Sequence, residues 1–570
     1  MSGLVRLTLL VVCCFLFAIL VRGNQIEEEL EGHVMAAANC TVWEGTVFVN
    51  SSVNIPQGEC LSILENSNIV FHTTSNSTTD AIIITVRGNI VFGKSITFQS
   101  LSFFSGNAPE GASSTDNWGI DITAEAEQTF LAMTTSTFLK QDKYSSTATL
   151  TFGKPIRTAL LGLNFSGGSN AIMFSSTNTS NITDSTFRFA VYNTTFSNIV
   201  SGLDTNNFVG SFASIMFTSC SFIDVDYAIN NIATDPDTQG VVLMGTSFKN
   251  TRQALISNTK VWISDSTLEN FRVGLRASSI TIEKVTFDNT QYGDNAAIAL
   301  VNSDNFQKAS YVVQHSKFIG IKGVVISSDS SLERFLFKYN LVTNCRTHTE
   351  LKQFSMIYTQ YSSNNIYFSY NQILNNEYPE QDIVSFSYLQ EFFSFYNNVL
   401  RGNIARYVLS LQSVLSSSQF SINSNIFDNY TPGTSKTVYT HREIYYAGLM
   451  STAMDANFNY WGTNVNMTKG FSTKEMNQVI TQKLYPSNAF KFVPYFITDD
   501  VSNTNSSNLG GFITAVSSSK PHNDGIPDEE LALIIGGSVG GTMFLIFVIV
   551  GIVGVVFFIK NRNTKRYQLV

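Results

Sequence analysis

The stretch NTTFSNI (193–199) decides the fold, because altered copies of it return along the chain. Three of these copies are GTSFKNT (245–251), KVTFDNT (284–290) and NSNIFDNY (423–430). Each copy contains an apolar residue, then any residue, then Asn. The apolar members recur at intervals of roughly 19 to 31 residues, a range that is typical of solenoid repeats.

The flanks of the repeated phrase predict strands. Short alternating runs such as SITIEKVTF (279–287) and FLFKYNLV (335–342) surround it. Alternation indicates strands with one buried face, and no helical period of about 3.6 residues accompanies it. The full pairs are Phe196/Asn198, Phe248/Asn250, Leu268/Asn270, Phe287/Asn289, Val342/Asn344, Ile373/Asn375 and Phe427/Asn429, with Phe222/Asp224 and Phe318/Gly320 as near matches.

A sharp turn after each strand explains the Asn. One residue of such a turn adopts the left-handed αL conformation, which costs an ordinary residue about 1–2 kcal/mol and which Asn, Asp and Gly tolerate best. We predict that the Asn holds this conformation, that the apolar residue stacks inward, and that the Asn side chains hydrogen-bond along the axis. The fold class is then all-β, a right-handed parallel β-helix solenoid of roughly 17 or 18 coils, each with three strands in about 25 residues.

A second phrase, DANFNYWGTN (455–464), stands near the end of the repeats and is followed by FKFVPYFIT (490–498). Together they resemble the closing segment of right-handed parallel β-helix proteins of the pectin-lyase-like superfamily, and most closely its surface and secreted repeat proteins. The resemblance implies that Trp461 packs over the last coil, that Gly462 lets the chain leave it, and that residues 473–484 form a short amphipathic capping helix. An exposed Trp461 that stacks on a sugar is the alternative.

Both ends of the chain indicate a membrane protein. Arg6 precedes an apolar run that ends near Gly23, which predicts a cleaved secretory signal. Residues 531–559 carry no charge over more than the about 20 residues that a helix needs to cross a bilayer, and basic residues follow at once. We predict a single-pass type I protein of the plasma membrane or endolysosomal membrane. Its segments are a signal peptide (1–23), an N-terminal cap (24–60), the β-helix ectodomain (61–498), a Ser/Asn-rich stalk (499–530), the transmembrane helix (531–559) and a cytoplasmic tail (560–570).

Cysteines and glycosylation sequons fit an extracellular or luminal domain. Cys40 and Cys60 are close in sequence, so we predict a disulfide between them. Cys220 and Cys345 lie 125 residues apart, too far to bridge on a rod, and we expect buried free thiols. N-linked glycosylation is predicted at the N-x-S/T sequons. These are Asn39, Asn50, Asn76, Asn164, Asn178, Asn181, Asn193, Asn429, Asn466 and Asn505.

The tail and the span carry two further short signals. The last four residues, YQLV, resemble a tyrosine-based sorting motif in which Tyr567 and Val570 contact a clathrin adaptor. A PDZ-type groove is the alternative reader of this C-terminus. Within the span, GGSVGG (536–541) places glycines four apart, a spacing that permits close contact between helices and hence a homodimer.

Catalysis is a candidate because the superfamily contains polysaccharide lyases, hydrolases and esterases. The phrases of its polygalacturonase-like branch are absent: the one Asp-Asp, at 499–500, starts the stalk, and Gly-His-Gly does not occur. The Trp-x-Asp-His phrase of pectate lyases is also missing, although VWISD (261–265) comes near it. We therefore assign no catalytic residue, no cofactor and no metal ligand.

Asp224 and Asp226 form the best remaining carboxylate cluster. A spacing of two puts both on one face of a strand, where Arg272, Arg276 or Glu283 from neighbouring coils could meet them. Glycoside hydrolysis would need such an arrangement, since it uses a pair of carboxyl groups. Alternatively, Asp224 is the turn residue of its coil and Asp226 is solvated.

Composition favours recognition over catalysis. Tyrosines are frequent between residues 354 and 396, and Tyr can stack on a sugar or on a partner surface. No sequon occurs between Asn193 and Asn429, which leaves that stretch without predicted glycans. Only 14% of residues are charged, and the net charge of −8 includes no basic stripe, which excludes nucleic acid as a partner. We expect recognition or adhesion through a glycan or a cell-surface partner. A membrane-tethered polysaccharide lyase or glycoside hydrolase and a passive glycoprotein coat are the alternatives.

Overall fold

The computed structural model of the chain describes most residues between Cys40 and Gly510. All of them belong to the first of two compact units, Met1–Gly511. The predicted signal peptide, transmembrane helix and tail lie outside the described residues. Within those residues, no helix is both long and apolar enough to cross a membrane. The described ranges are 40–74, 81–123, 125–154, 156–175, 188–208, 214–232, 240–293, 295–302, 309–328, 331–360, 363–414, 419–429, 442–448, 453–462, 473–502 and 509–510.

Three parallel sheets wind around one core and form a β-solenoid, so the predicted all-β repeat fold is confirmed. The first sheet contains Val53–Ile55, Ile82–Val86, Trp118–Ile122, Leu150–Phe152, Asn170–Ser175, Ser201–Asn207, Tyr227–Asn231, Gln253–Ser257, Val273–Ala277, Ala297–Asn302, Gly323–Ser328, Ile357–Thr359, Glu377–Ser387, Ile404–Val414, Arg442–Gly448 and Leu484–Tyr485. The second contains Phe130–Thr134, Arg157–Leu161, Arg188–Tyr192, Ser214–Thr218, Gly240–Met244, Lys260–Ser264, Ser279–Glu283, Ala309–Gln314, Leu332–Lys338, Ser363–Ser369, Leu389–Tyr396 and Gln419–Asn423. The third contains Thr46–Val49, Asn68–Thr74, Thr97–Ser100, Thr137–Leu139, Asn164–Ser166, Thr195–Ser197, Ser221–Ile223, Ser247–Lys249, Thr267–Glu269, Thr286–Asp288, Lys317–Ile319, Leu341–Thr343, Gln372–Leu374, Val399–Arg401 and Ile426–Asp428, with Ala112–Ser114 pairing antiparallel to Asn68–Thr74.

Among the described residues, 12 successive coils contribute one strand to every sheet, from Trp118–Ile122 to Ile426–Asp428. This count is below the predicted number of coils, because the coils nearer either end lack a strand in at least one sheet. The chain passes from the second sheet to the third, and from the third to the first, through tight turns. A residue at a given place in one coil therefore lies directly above its counterpart in the previous coil.

The N-terminal end begins with a separate parallel sheet. Cys40 and Cys60 are paired residues of that sheet and are joined by a disulfide. Thr46–Val49 and Val53–Ile55 already belong to the third and first sheets, so the segment predicted as a cap includes the first strands of the solenoid. The separate sheet contains Cys40–Trp43, Cys60–Ile63 and Asn89–Phe92.

The C-terminal end closes as the resemblance implies. Trp461 is fully buried and stacks on Phe427, with ring centroids 5.2 Å apart, which confirms its predicted place over the last coil. Gly462 follows with a φ of +90°, a value that favours glycine. Helix α1 (Thr473–Lys483) occupies the predicted capping segment and buries Ile480 in the core. The remaining elements are Met454–Asp455 paired with Phe490–Lys491, Tyr495–Phe496 paired with Leu509–Gly510, and the 3₁₀ turns Leu101–Phe103, Thr349–Leu351 and Ser487–Ala489.

The apolar members of the repeated phrase form the core on the third-sheet side. Their rings are stacked face to face, with centroids 4.6 to 5.2 Å apart and planes within 5° of parallel. This spacing is the distance between neighbouring strands, so strand pairing itself sets the stacking. The prediction that these residues point inward is confirmed. The continuous stack contains Phe98, Phe138, Phe165, Phe196, Phe222 and Phe248.

The αL prediction for the Asn of the phrase holds at most positions. Seven positions have φ between +53° and +64°, and they are Asn198, Asp224, Asn250, Asn270, Gly320, Asn344 and Asn375. Their side chains are joined along the axis where neighbours allow, as where Asn270 Nδ2 donates to Asn250 Oδ1 at 3.0 Å. For Asn289 and Asn429 the αL prediction is wrong. Their amides turn inward and bond the neighbouring coil instead, as where Asn289 Oδ1 accepts from the Phe271 backbone N–H at 2.8 Å.

Two ladders of buried asparagines run through the C-terminal coils. In the corner ladder, each backbone N–H donates to the side-chain oxygen of the next member at 2.9 to 3.0 Å. A second ladder ends at the carboxylate of Glu443, which accepts from both nitrogens of Asn429. The corner ladder contains Asn340, Asn371, Asn398, Asn425 and Asn459, and the second contains Asn376, Asn403 and Asn429.

A candidate ligand-binding cleft

A polar cleft opens where the chain turns from the third sheet into the first. The strand Ser247–Lys249 ends at Asn250, which is in the αL conformation, and Arg252 follows just before the next first-sheet strand. One coil later, Asn270 and Arg272 repeat this arrangement. Because Gln253 and Val273, the residues after the two arginines, are paired, the arginines lie one above the other.

The cleft has a volume of about 610 Å³. Asp226 contributes from the coil on one side, and Tyr292 from the longer turn on the other. Gln291 and Glu350 complete its polar lining. Side chains that donate and accept hydrogen bonds therefore surround a space in which ligands of moderate size commonly fit.

The lining carries two arginines, Arg252 and Arg272, and two carboxylates, Asp226 and Glu350. Asp226 Oδ1 is engaged by Lys143 Nζ at 3.0 Å, so this carboxylate already has a cation. Arg252 lies over the ring of Tyr227, with 6.0 Å between the guanidinium carbon and the ring centroid. In the part of the chain that the structure describes, neither Arg252 nor Arg272 forms a salt bridge. Two adjacent exposed guanidinium groups thus face the cleft without a carboxylate partner.

The two arginines of the cleft act on the pKa of Tyr292. Burial raises the pKa of its hydroxyl, and the nearby positive charges of Arg272 and Arg252 act in the opposite direction. A tyrosine hydroxyl in this position stays protonated at neutral pH and can donate a hydrogen bond.

The two predicted carboxylates separate into different roles. Asp224 is the αL turn residue of its coil, with φ of +57°, and its Oδ1 accepts from Asn250 Nδ2 at 2.9 Å. Asp226 lines the cleft together with Arg272. Glu283, which is described, lies beside Lys284 at 3.7 Å and does not line the cleft. The alternative interpretation therefore holds for Asp224, which serves the turn, but not for Asp226, which is half-buried and paired with Lys143 instead of solvated.

The predicted tyrosine-rich stretch divides into core and surface. Tyr378 is fully buried and its hydroxyl donates to the Gly323 carbonyl oxygen at 2.7 Å, while Tyr358 is buried against Ser327. Tyr370 and Tyr388 are exposed by 42% and 53%. Only some of the tyrosines can therefore meet a partner.

Four of the predicted glycosylation residues are described. Asn50 and Asn193 are exposed, and Asn164 is half-buried. Asn429 differs, because its Nδ2 donates to both the Leu400 carbonyl oxygen and Glu443 Oε2. A glycan on that nitrogen would compete with the ladder. Asn39, Asn76, Asn178, Asn181, Asn466, Asn505 and the tail residues Tyr567 and Val570 lie outside the described residues.

The two cysteines outside the disulfide lie in the interior of the protein. Cys220 and Cys345 are buried and unpaired. Burial raises the pKa of Cys220 to about 11 and that of Cys345 to about 12, so both stay as neutral thiols. Across the described residues no group of three or more His, Cys, Asp or Glu side chains is placed to hold a metal ion.

Comparison of the chain with protein-family models, with curated proteins and with solved structures found no match. The class of protein that the fold and the cleft define is a parallel β-solenoid with a polar surface cleft. The cleft itself was only half visible in the sequence. Asp226 and Arg272 were candidates, but Arg252 and Tyr292 became visible as partners only once the coils were in register.

Proposed function

We propose that this chain is a single-pass type I membrane glycoprotein whose β-solenoid binds an anionic glycan in the cleft. The observation that carries the proposal is the pair of guanidinium groups, Arg252 and Arg272, in a cleft of about 610 Å³ without carboxylate partners among the described residues. The membrane topology rests on the hydropathy of both chain ends. The right-handed winding of the solenoid and its relation to pectin-lyase-like proteins are inferred from the closing phrase around Trp461.

The chemistry of the cleft fits a sugar that carries carboxylate or sulfate groups. A guanidinium group presents a planar fork of donors that matches the oxygens of such an anion. Strand pairing places the backbones that carry the two arginines about 4.8 Å apart, so the positive charges follow one another along the solenoid axis. The amides of Asn250 and Asn270 and the hydroxyl of Tyr292 can bond sugar hydroxyls beside them.

The contacts of the carboxylates in the cleft favour recognition over hydrolysis. Hydrolysis needs one carboxyl group as acid and another as base or nucleophile. Asp226 Oδ1 already contacts Lys143 Nζ at 3.0 Å, so this carboxylate is engaged by a cation of the protein itself. Glu350 is the other carboxylate of the lining. A membrane-tethered lyase or hydrolase and a passive coat remain the competing functions, and the experiment below separates all three.

The test uses purified full-length protein on immobilised glycans that are sulfated, carboxylated or neutral. Retention and the appearance of new chain ends are scored together. We expect retention on the charged glycans alone, no new chain ends, and weaker binding as salt rises, since exposed charges are screened. The double variant Arg252→Gln/Arg272→Gln should lose at least about tenfold in affinity, which corresponds to roughly 1.4 kcal/mol.

The matched control is Arg157→Gln, an exposed arginine at the start of the second-sheet strand Arg157–Leu161, which should bind as the wild type does. New chain ends would replace recognition with catalysis and direct attention to Asp226 and Glu350. Equal retention of the double variant would remove the cleft as the site. No retention on any glycan would favour a passive coat.

A further inference from the structure

A row of exposed aromatic side chains occupies the corner between the second and third sheets, away from the cleft. We call it the aromatic stack. His315 and Tyr339 lie parallel with centroids 4.9 Å apart, and Tyr339 and Tyr370 repeat this at 4.9 Å. Tyr396 meets Tyr370 edge to face at 5.4 Å. Four successive coils thus build one continuous aromatic row.

The backbone of this row is held in a conformation that disfavours its side chains. His315, Tyr339 and Tyr370 have φ of +52°, +57° and +56°. Tyr rarely adopts such values, which cost about 1–2 kcal/mol for each residue, whereas His is found there more often. In other coils the same corner carries Asn193 and Gly245, which tolerate αL, but also Thr135 and Lys284, with φ of +51° and +55°. The turn therefore does not require an aromatic residue, and the aromatic side chains add an exposed surface that the fold itself does not need.

The geometry of the stack decides what can bind it. His315, Tyr339 and Tyr370 cover one another's ring faces, so along this part of the row mainly edges and hydroxyl groups point to solvent. Sugars stack on open ring faces, which this row does not offer along its length. Tyr339 and Tyr370 nevertheless remain 48% and 42% exposed, and ring edges pack well against the faces and edges of other aromatic rings. The stack suits a protein surface rather than a glycan.

The neighbouring outer face of the second sheet extends the apolar surface. Tyr367 and Phe392 are half-buried, with ring centroids 5.0 Å apart. Lys338 Nζ lies 5.7 Å from the centroid of the Tyr367 ring. Charged residues of both signs accompany this surface, namely Lys338, Arg334, Glu333 and Glu391 beside it and the pair Lys284 and Glu283 one coil before His315. Because these charges balance, the same surface on a second molecule would not be repelled.

We propose that the aromatic stack is a docking surface for a second copy of this chain, side by side. A row that repeats at the strand spacing is matched best by another row with the same repeat, and a second copy supplies one. In a two-fold arrangement the same surface is used by both molecules, and aromatic residues are enriched at such interfaces. No sequon occurs between Asn193 and Asn429, so no predicted N-linked glycan blocks these coils.

Cysteine crosslinking of the full-length chain in membranes tests the contact directly. Tyr339→Cys and Tyr370→Cys lie in the middle of the stack, and a short bis-maleimide is the crosslinker. Tyr388→Cys is the matched control, because Tyr388 is 53% exposed, has φ of +53° and has no ring partner among the described residues. Cys220 and Cys345 are buried and should give little background.

We expect at least about fivefold more covalent dimer from a stack variant than from the control, since crosslinking requires the two backbones to be close. Equal crosslinking of Tyr388→Cys would show that the copies are merely crowded, as contact through the predicted span alone would make them. Failure of both stack variants to exceed the control would overturn the proposal.

Loss of the contact is tested with Tyr339→Asn/Tyr370→Asn. Asn accepts the αL conformation, so the fold should survive, and an unchanged melting temperature checks this. Two differently tagged full-length copies are expressed together, and one is captured from a mild detergent extract. We expect co-capture to fall at least about fivefold, while Tyr388→Asn leaves it unchanged. Co-capture that survives in the double variant contradicts the proposal.

Discussion

At the corner between the second and third sheets, a side chain accepts a hydrogen bond from the backbone N–H of the previous coil. The coils before and after about residue 318 use different side chains for this bond. In the earlier coils, a hydroxyl group accepts from the backbone N–H of the previous coil, as where Ser266 Oγ accepts from Thr246 at 3.0 Å. In the later coils an asparagine does this and also donates, as where Asn398 bonds the Asn371 and Phe368 backbones and the Asn425 side chain. A hydroxyl joins neighbouring coils through one such bond, whereas an asparagine joins several and makes the later coils a connected polar network.

Removal of one ladder asparagine should lower the free energy of unfolding more than any of the other changes proposed below. Asn398→Ala removes the amide that bonds the Asn371 N–H and the Phe368 carbonyl oxygen in a fully buried site, while Asn371 Nδ2 keeps its bond to the Phe337 carbonyl oxygen. At about 1–3 kcal/mol for each of these two orphaned buried groups, we expect a loss of roughly 2–6 kcal/mol in the free energy of unfolding. Urea denaturation followed by circular dichroism measures it.

The matched change in the earlier coils is Ser266→Ala. It orphans one backbone N–H, that of Thr246, and should cost only about 1–3 kcal/mol. Equal losses for Ser266→Ala and Asn398→Ala would show that the network adds nothing beyond single hydrogen bonds.

The earlier coils and helix α1, which follows the later coils, each contain a buried lysine, and the charged groups around these two lysines differ. In the earlier coils Lys140 Nζ lies 4.8 Å from the centroid of the Trp118 ring and donates to the Thr147 carbonyl oxygen at 2.7 Å. Burial lowers its pKa from 10.5 to about 7, against a smaller opposing effect of Asp116. Lys483 of helix α1 is also buried, and burial lowers its pKa, but Glu443 and Asp428 act in the opposite direction.

The sign of the Lys140 effect follows from proton linkage. Between pH 7 and 10.5 the unfolded chain binds more protons at this residue than the folded chain, so the stability rises with pH. The slope is at most about 1.4 kcal/mol per pH unit. We expect the urea midpoint of the wild type to rise between pH 7 and 8.5 and that of Lys140→Met to rise less. Parallel curves for the two proteins would contradict the assignment.

Two Tyr→Asn variants at the surface separate the cost of the αL conformation from the gain of ring stacking. Their expected effects on stability are the smallest of those predicted. Tyr388 has φ of +53° and, among the described residues, no ring partner, so Tyr388→Asn should stabilise the protein by about 1 kcal/mol. Tyr339→Asn gains the same relief but loses two ring contacts worth about 0.5–1.5 kcal/mol each, so its net effect should be near zero or unfavourable. Thermal melting of both variants checks the difference, and an equal gain in both would mean that stacking contributes nothing.

The corner ladder also shows what the sequence concealed. Its members follow the αL residue directly, in pairs such as Tyr339-Asn340, Tyr370-Asn371 and Ser424-Asn425. The residue before each Asn varies, so the pattern does not recur as a fixed phrase. Attention to Phe-x-Asn located the neighbouring turn instead. A column of Asn at coil spacing, whatever precedes it, would have been the signal.

The sequence by itself determined the solenoid, because a buried apolar residue and an αL-tolerant residue must recur once per coil. The resemblance of the closing phrase predicted that Trp461 packs over the last coil, and the structure shows it buried there. Tertiary structure alone decided the surfaces. Coils differ in length, so the distance along the chain between Arg252 and Arg272 does not reveal that they are stacked, and only strand register brings them together. The same register turns scattered tyrosines into either core or an exposed row.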